Sequence, residues 1–109
     1  MSLKEEGTMK LKDRVAIVTA AAGAGIGQAV ARRFAEEGAQ LVISDAHGRR
    51  AQEVAARMEK DYGRQVPSFE VDVRRRDQVD AMVRATAERF GRIDVLFNNA
   101  GINKLEPVA

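Results

Sequence analysis

The segment that decides the fold is residues 15–30, which reads VAIVTAAAGAGIGQAV. Its first four residues are apolar and favour a strand, its middle holds no large side chain, and an amphipathic pattern begins at Ile26. The segment therefore predicts a strand, a tight turn and a helix. Glycines at 23, 25 and 27 leave backbone N–H groups uncovered where that helix begins, and unpaired donors together with the helix dipole favour an anion there. We interpret the turn as a pyrophosphate-binding site.

An acidic residue supports this interpretation of the turn. Asp45 lies 20 residues after Gly25, at the end of the next apolar run, 41–44. A glycine-rich turn followed at this distance by an acid that ends a strand is typical of a dinucleotide-binding unit. Without the turn, Asp45 would more simply be a helix N-cap or a solvated loop residue.

Composition is that of an ordinary folded domain. The 109 residues are 45% hydrophobic and 31% charged, with a formal net charge of +2. Basic and acidic residues are interspersed and only 5% of residues are aromatic, so no nucleic-acid partner is indicated. With no cysteine and one histidine, we expect no metal site and a cytoplasmic location. No apolar run approaches the roughly 20 residues that cross a bilayer, so we expect no membrane partner.

Apolar periodicity predicts four strands alternating with three helices. The strands cover about 14–19, 41–43, 66–71 and 93–97, and the helices end before Gly38, Gly63 and Gly91. The order βαβαβαβ implies a parallel α/β sheet with right-handed crossovers. We predict a doubly wound sheet of strand order 3-2-1-4, with the first two helices on one face and the third on the other.

The same patterns predict which side chains face the sheet and where the fold is incomplete. The predicted inward positions are Ile26, Ala29, Val30 and Phe34 in the first helix, and Val79, Met82, Val83, Thr86, Ala87 and Phe90 in the third. The fourth strand would be an open edge that leaves Leu96 and Phe97 uncovered. We expect residues 1–9 to be a flexible leader and 10–109 to be the N-terminal part of a dinucleotide-binding domain.

Several of these features, in this order, resemble the short-chain dehydrogenases/reductases, a family with a Rossmann-type fold. The most specific is the segment Asn98-Asn99-Ala100-Gly101, which matches the family's Asn-Asn-Ala-Gly motif after the fourth strand. The turn from Thr19 to Gly27 approximates the family's Thr-Gly-x-x-x-Gly-x-Gly pattern. Aligned from Gly27, the family's first glycine falls on Ala21; counted from Thr19, the turn is one residue longer than usual. The resemblance covers about residues 12–106.

The resemblance implies a nicotinamide-dinucleotide site. Asp45 would accept hydrogen bonds from the adenosine ribose and repel a 2′-phosphate, which favours NAD over NADP, although Arg49 or Arg50 could accommodate that phosphate. Asp72 would lie beside the adenine, although an acid followed by three arginines is also typical of a surface ion pair. The implied cofactor-binding residues are Thr19, Ala21, Gly23, Gly25, Ile26, Gly27, Asp45, Asp72, Val73, Asn98, Asn99, Ala100 and Gly101.

The resemblance also implies an oxidoreductase that transfers hydride between nicotinamide and an alcohol or ketone, as 3-oxoacyl reductases and related enzymes do. The family's catalytic serine, tyrosine and lysine would lie beyond residue 109. Tyr62 does not match that tyrosine, because Val66 stands where the lysine would be. We therefore assign no catalytic residue, expect the 109 residues alone to be inactive, and expect the complete protein to be a homo-oligomer, a dimer or a tetramer.

Two other functions stay open on the sequence. An S-adenosylmethionine-dependent methyltransferase would also have a Gly-x-Gly-x-Gly turn, as in residues 23–27, and an acid ending its second strand. Such a site usually has a further acid before the glycines, where this chain has Thr19 and three alanines. A non-catalytic dinucleotide-binding module would need the cofactor residues but not the catalytic ones.

Overall fold

The computed structural model describes residues 10–23 and 25–98, which form four strands and three helices. The strands are β1 (Val15–Val18), β2 (Gln40–Asp45), β3 (Ser68–Glu70) and β4 (Val95–Phe97). The helices are α1 (Ile26–Glu36), α2 (Gly48–Tyr62) and α3 (Arg76–Phe90). The strands are parallel and lie in the order β3-β2-β1-β4. This confirms the predicted doubly wound sheet.

The centre of the sheet is buried on both faces. Strand β1 pairs with β2 on one side and with β4 on the other, so that Ile17 lies opposite Val42 and Leu96. All four residues of β1 are buried, as are residues 41–44 of β2. A strand covered on both faces is expected to be apolar throughout rather than alternating, which is why these two runs predict strands clearly.

Helices cover the two faces as predicted. The face that α1 and α2 cover packs Val18, Leu41, Ile43 and Met58 together, with Phe34 against them. The face that α3 covers packs Ile17, Val42, Val71 and Met82, with Val79 and Phe90 against them. Neighbouring residues along β1 and β2 therefore face opposite sides of the sheet, and this alternation builds two separate apolar layers.

Three predicted inward positions were wrong. Ile26 is 67% exposed, and Ala29 and Ala87 are also exposed. In α1 the side that faces the protein is Gly27, Val30, Ala31 and Phe34, a stripe at helical spacing that starts one residue later than predicted. In α3 the alanine lies beside the inward stripe, which carries Met82 and Thr86 at its centre.

Strand β3 is shorter than predicted, at 68–70 rather than 66–71. Pro67 has no N–H to donate to a ladder, and the Val66 N–H donates instead to the Glu59 carboxylate at 2.8 Å. The Pro67 carbonyl still accepts from the Ile43 N–H at 3.0 Å. Regular pairing therefore begins at Ser68, which lies opposite Ile43.

Glycines end the helices, and one of them also makes a close contact. Gly63 caps α2 with φ +74, a conformation that L side chains rarely adopt. Gly38 follows α1 with φ +95, and a Cβ there would lie 3.0 Å from the Lys12 Cα. The residues before β1 thus pack on the α1–β2 turn, where the Leu11 N–H donates to the Glu37 carbonyl at 2.9 Å.

The outer strand β4 leaves Leu96 uncovered, as predicted, but the prediction for Phe97 was wrong, because this side chain is partly buried and packs on the face that α1 and α2 cover. Leu96 is 49% exposed, and within residues 10–23 and 25–98 the neighbour of β4 is β1 alone. No helix in this part of the chain is both long and apolar enough to cross a membrane.

Candidate nucleotide-binding site

Polar residues from three strands meet at one edge of the sheet. Thr19 follows β1, Asp45 ends β2 and Asn98 follows β4. Because the strands are parallel, their carboxyl ends lie side by side. The chain leaves β1 toward β2 on one side and later returns to β4 on the other, and ligands of doubly wound sheets bind where the strand order reverses in this way.

Backbone hydrogen bonds hold the glycine-rich turn against both neighbouring strands. The Thr19 N–H donates to the Phe97 carbonyl at 3.0 Å, and the Ala21 N–H donates to the Ser44 carbonyl at 3.0 Å. The start of the turn is therefore fixed by β4 on one side and by β2 on the other. Thr19, Ala21 and Ala22 are buried, so this part of the turn is also packed.

The two central glycines face open space. A Cβ at Gly23 or at Gly25 would meet nothing within 4 Å, and neither residue has the positive φ that favours glycine. Gly25 begins α1 without a side-chain cap. Gly27 is different, because it is buried in the stripe of α1 that faces the protein. Gly27 is therefore buried within the protein, whereas the space in front of Gly23 and Gly25 is free, which fits a ligand that approaches the backbone.

Ala20 has a conformation that the sequence analysis missed. Its φ is +53, in the left-handed region, which costs a residue with a Cβ about 1–2 kcal/mol. Aligning the turn from Gly27 placed the family's first glycine at Ala21, whereas counting from Thr19 would have pointed to Ala20. The structure gives the left-handed φ to Ala20 and buries Ala21 completely.

Asp45 joins the glycine-rich turn to the start of α2. Its Oδ1 accepts from the Ala22 N–H at 3.3 Å, and its Oδ2 accepts from the His47 N–H at 2.9 Å. The His47 side chain makes no capping hydrogen bond to α2, so the acid two residues earlier supports the helix entry instead. An ionised carboxylate offers about four acceptor positions, so two bonds leave room for ligand hydroxyls.

A cavity of about 370 Å³ brings three of the predicted site residues together. Thr19, Val73 and Asn98 line it, together with Arg74, Arg76, Val79 and Leu96. The Thr19 hydroxyl lies 3.1 Å from Asn98 Oδ1 and 3.4 Å from the Phe97 carbonyl. Its single proton serves one of these acceptors at a time, and either bond ties β1 to β4 at the mouth of the cavity.

Asp72 pairs with an arginine at the surface. Its Oδ1 accepts from Arg74 Nε at 3.0 Å and its Oδ2 from Arg74 Nη2 at 2.9 Å. This bidentate pair, with the Arg74 N–H, lowers the pKa of the Asp72 carboxyl to about 2. Arg74 is thereby held where it lines the cavity.

Of the remaining predicted site residues, one lies outside the cavity and three lie outside the described part of the chain. Ile26 is exposed at the first position of α1, directly after the turn, and is not part of the cavity lining. Asn99, Ala100 and Gly101 lie outside the described residues.

This arrangement defines a class of protein: an α/β fold whose ligand crevice lies at the carboxyl ends of parallel strands, beside a glycine-rich turn. Within that class, the family model described as short chain dehydrogenase matches residues 14–109. The chain belongs to this family, whose members are oxidoreductases that bind a nicotinamide cofactor, NAD or NADP. The alternative of a methyltransferase is not supported.

Relatives agree with this assignment. A (5R,7aS)-5-hydroxy-7a-methyl-1-oxo-2,3,5,6,7,7a-hexahydro-1H-indene-carboxyl-CoA reductase from Mycobacterium tuberculosis is 50% identical over 99 residues, covering 91% of this chain and 38% of that protein. A levodione reductase from Leifsonia aquatica is 43% identical over 104 residues, covering 94% of this chain and 38% of that protein. The crystal structure of a short chain dehydrogenase from Mycobacterium smegmatis has a TM-score of 0.80 and 47% identity, covering 94% of this chain and 42% of that one. The chain thus spans about two fifths of the length of these relatives.

Proposed function

We propose that the protein is an NAD-dependent oxidoreductase acting on an alcohol or a ketone, and that the residues of this chain bind the nucleotide. The observation that carries the proposal is the contact of the Asp45 carboxylate with the Ala22 N–H, 3.3 Å from donor to acceptor. It brings the acid and the glycine-rich turn, which are 23 positions apart in the sequence, to one place at the sheet edge. The nicotinamide, when bound, would accept or donate the hydride.

Each part of the site would hold one part of the nucleotide. The N–H groups at the start of α1 would face the pyrophosphate, since the helix has no side-chain cap and its dipole favours an anion. Asp45 would accept hydrogen bonds from the ribose hydroxyls. The cavity lined by Thr19, Val73 and Asn98 would take the adenine side.

We infer a preference for NAD from the charge at Asp45. A carboxylate repels a 2′-phosphate, and both of its oxygens are fixed by backbone donors, so the side chain is not free to turn away. Arg49 and Arg50 are exposed in the first turn of α2, the nearest candidates for binding a phosphate instead. We expect the fixed carboxylate of Asp45 to affect cofactor preference more than these exposed arginines do.

The substrate class rests on the relatives. The two reductases described above act in their names on a hydroxylated indene-carboxyl-CoA and on levodione, and a further relative is a galactitol 2-dehydrogenase from Agrobacterium fabrum, 41% identical over 92% of this chain and 37% of that protein. These names support an alcohol or ketone as the substrate of this protein. Tyr62, the chain's one tyrosine, lies at the α1–α2 surface beside Arg32 and Glu36, so we assign it no catalytic part.

Titration of the natural gene product with NADH and NADPH, followed by nucleotide fluorescence, tests the proposal. We expect tighter binding of NADH and a smaller difference between the two in Asp45→Ala. Asp80→Ala is the matched control, because Asp80 is exposed on α3, which covers the opposite face of the sheet from α1 and α2. Equal or reversed affinity in the natural protein would contradict the preference. Binding without oxidation of any alcohol or reduction of any ketone would favour a non-catalytic module.

A further inference from the structure

A line of polar contacts runs along α1 from the glycine-rich turn to the last turn of α2. Gln28 Nε2 donates to the Gly23 carbonyl at 2.9 Å, and Arg32 Nε donates to Gln28 Oε1 at 3.4 Å. Arg32 Nη1 in turn donates to Asp61 Oδ2 at 3.0 Å. Gln28 and Arg32 are one helical turn apart, so their side chains lie on the same face of α1. The glycine-rich turn is thereby connected to a second helix through side chains alone.

Arg32 fixes which way the Gln28 amide points. An arginine side chain has donors and no acceptor, so Gln28 must present its oxygen to Arg32 and its NH₂ group to Gly23. Arg32 is itself held by Asp61 and by Tyr62, whose hydroxyl lies 3.5 Å from Nη1 and whose ring centroid lies 6.0 Å from the guanidinium carbon. The hydrogen bond to Asp61, with that to Tyr62, raises the pKa of Arg32. The amide therefore has one orientation that satisfies both neighbours.

A turn that binds an anion has to direct its carbonyl oxygens, including that of Gly23, away from the ligand. A carbonyl oxygen carries partial negative charge, and the turn must present N–H groups, not oxygens, to a pyrophosphate. A Cβ at Gly23 would meet nothing within 4 Å, so no described atom packs against that side of the residue. Within residues 10–23 and 25–98, the Gln28 side chain donates to this carbonyl at 2.9 Å and holds it toward α1.

We propose that Gln28 is a positioning residue for the nucleotide pyrophosphate, which holds the Gly23 carbonyl toward α1 and is oriented for this by Arg32. The inference rests on the proposed nucleotide-binding function. It assigns Gln28 no contact with the ligand.

Three variants of the natural gene product test the chain of contacts in order. Gln28→Leu removes the bond to Gly23, and we expect the Kd for NADH to rise about three- to tenfold, the loss of one neutral hydrogen bond. Gln28→Glu keeps an acceptor for Arg32 but cannot donate to Gly23, so it should weaken binding at least as much. Arg32→Met leaves Gln28 able to reach Gly23 but no longer oriented, and it should have the smaller effect.

The readouts separate positioning from general stability. We expect kcat at saturating cofactor and the thermal midpoint to change little in Gln28→Leu, while hydrogen exchange in the cofactor-free protein rises in peptides spanning 19–29 and nowhere else. Gln52→Leu is the matched control, since Gln52 is exposed on α2 and its side chain makes no hydrogen bond within the described part of the chain. Full binding by Gln28→Glu, or unchanged Kd and exchange in Gln28→Leu, would overturn the inference. Failure of the natural protein to bind either cofactor would overturn the proposed function, and hydrogen exchange would still report whether Gln28 orders the turn.

Discussion

Asp94 and Val15 are joined by two hydrogen bonds that set the register of β4 against β1. The Val15 N–H donates to Asp94 Oδ2 at 2.9 Å, and the Asp94 N–H donates to the Val15 carbonyl at 2.8 Å. The two residues are 79 positions apart in the sequence. Arg92 holds the same carboxylate with two bonds of 2.8 and 2.7 Å. Regular pairing of Ala16 with Val95 follows directly from this contact.

The contact predicts a specific response to acid. Arg92, with the Val15 N–H, lowers the pKa of the Asp94 carboxyl from 3.8 to about 2. A group whose pKa is lower in the folded state stabilises the fold above its unfolded pKa and loses that contribution as the pH falls through its folded pKa. Asp94→Asn should therefore lower the thermal midpoint by a few degrees near neutral pH, and the difference from the natural protein should shrink between pH 4 and pH 2. Calorimetry across this range, with Asp80→Asn as control, checks it; a difference that does not change with pH would contradict it.

The left-handed conformation of Ala20 predicts a stabilising substitution. Ala20→Gly removes a strain of about 1–2 kcal/mol but makes the unfolded chain more flexible, so we expect a net gain of up to about 1 kcal/mol in the free energy of unfolding. Ala22 is buried and has no positive φ, so Ala22→Gly should instead destabilise the protein. Denaturant unfolding of both variants measures the difference. A loss of stability in Ala20→Gly as large as that in Ala22→Gly would show that the strain is absent.

Substitutions at two glycines of the turn should affect different properties, cofactor binding at Gly25 and stability at Gly27. Gly25→Ala adds a methyl group in open space, so the free energy of unfolding should stay within about 0.5 kcal/mol while NADH binding weakens by about tenfold. Gly27→Val puts a branched side chain into the buried stripe of α1, and such overpacking typically costs about 1–3 kcal/mol. Unfolding and cofactor titration on both variants separate the effects. Unchanged affinity in Gly25→Ala would argue against a ligand at this turn.

Two buried threonines give a matched test of side-chain hydrogen bonding. Thr86 and Thr19 are both 2% exposed. The Thr86 hydroxyl has no hydrogen-bond partner among the described residues, whereas the Thr19 hydroxyl bridges β1 to β4. Thr86→Val keeps the shape and should raise the free energy of unfolding by about 1 kcal/mol, because an unpaired buried hydroxyl costs about that much. Thr19→Val should lower it by a similar amount. Destabilisation by Thr86→Val would mean that its hydroxyl has a partner in the folded protein.

The fold was predictable because its strands are covered on both faces. The runs 15–18 and 41–43 are apolar throughout, and glycines after each helix mark where the chain turns back. Ends of elements were less predictable, since they depend on individual backbone partners. The start of β3, for example, is set by the proline at 67 and by the Glu59 carboxylate, seven residues away from Val66.

The position of the candidate site residues was predictable where it follows from strand ends and not where it depends on long side chains. Thr19, Asp45 and Asn98 each end or follow a strand, so the parallel sheet alone brings them to one edge. The bond from Gln28 to Gly23 and the two-point pairing of Asp72 with Arg74 depend on rotamers and on neighbours in the folded chain. Patterns of apolar spacing carry no information about such partners.

The two backbone hydrogen bonds that Asp45 accepts limit how mutation can change the ligand preference. One carboxylate serves the Ala22 N–H in the turn and the His47 N–H before α2, so a mutation there alters the backbone of both at once. An asparagine could accept from one N–H but would turn its own NH₂ group toward the other. We therefore expect epistasis at this position: replacing Asp45 alone, as in Asp45→Ala, should narrow the preference for NAD at a cost in the order of the turn, and an evolutionary or engineered change to a ligand with a 2′-phosphate should need a second, permissive substitution near the turn.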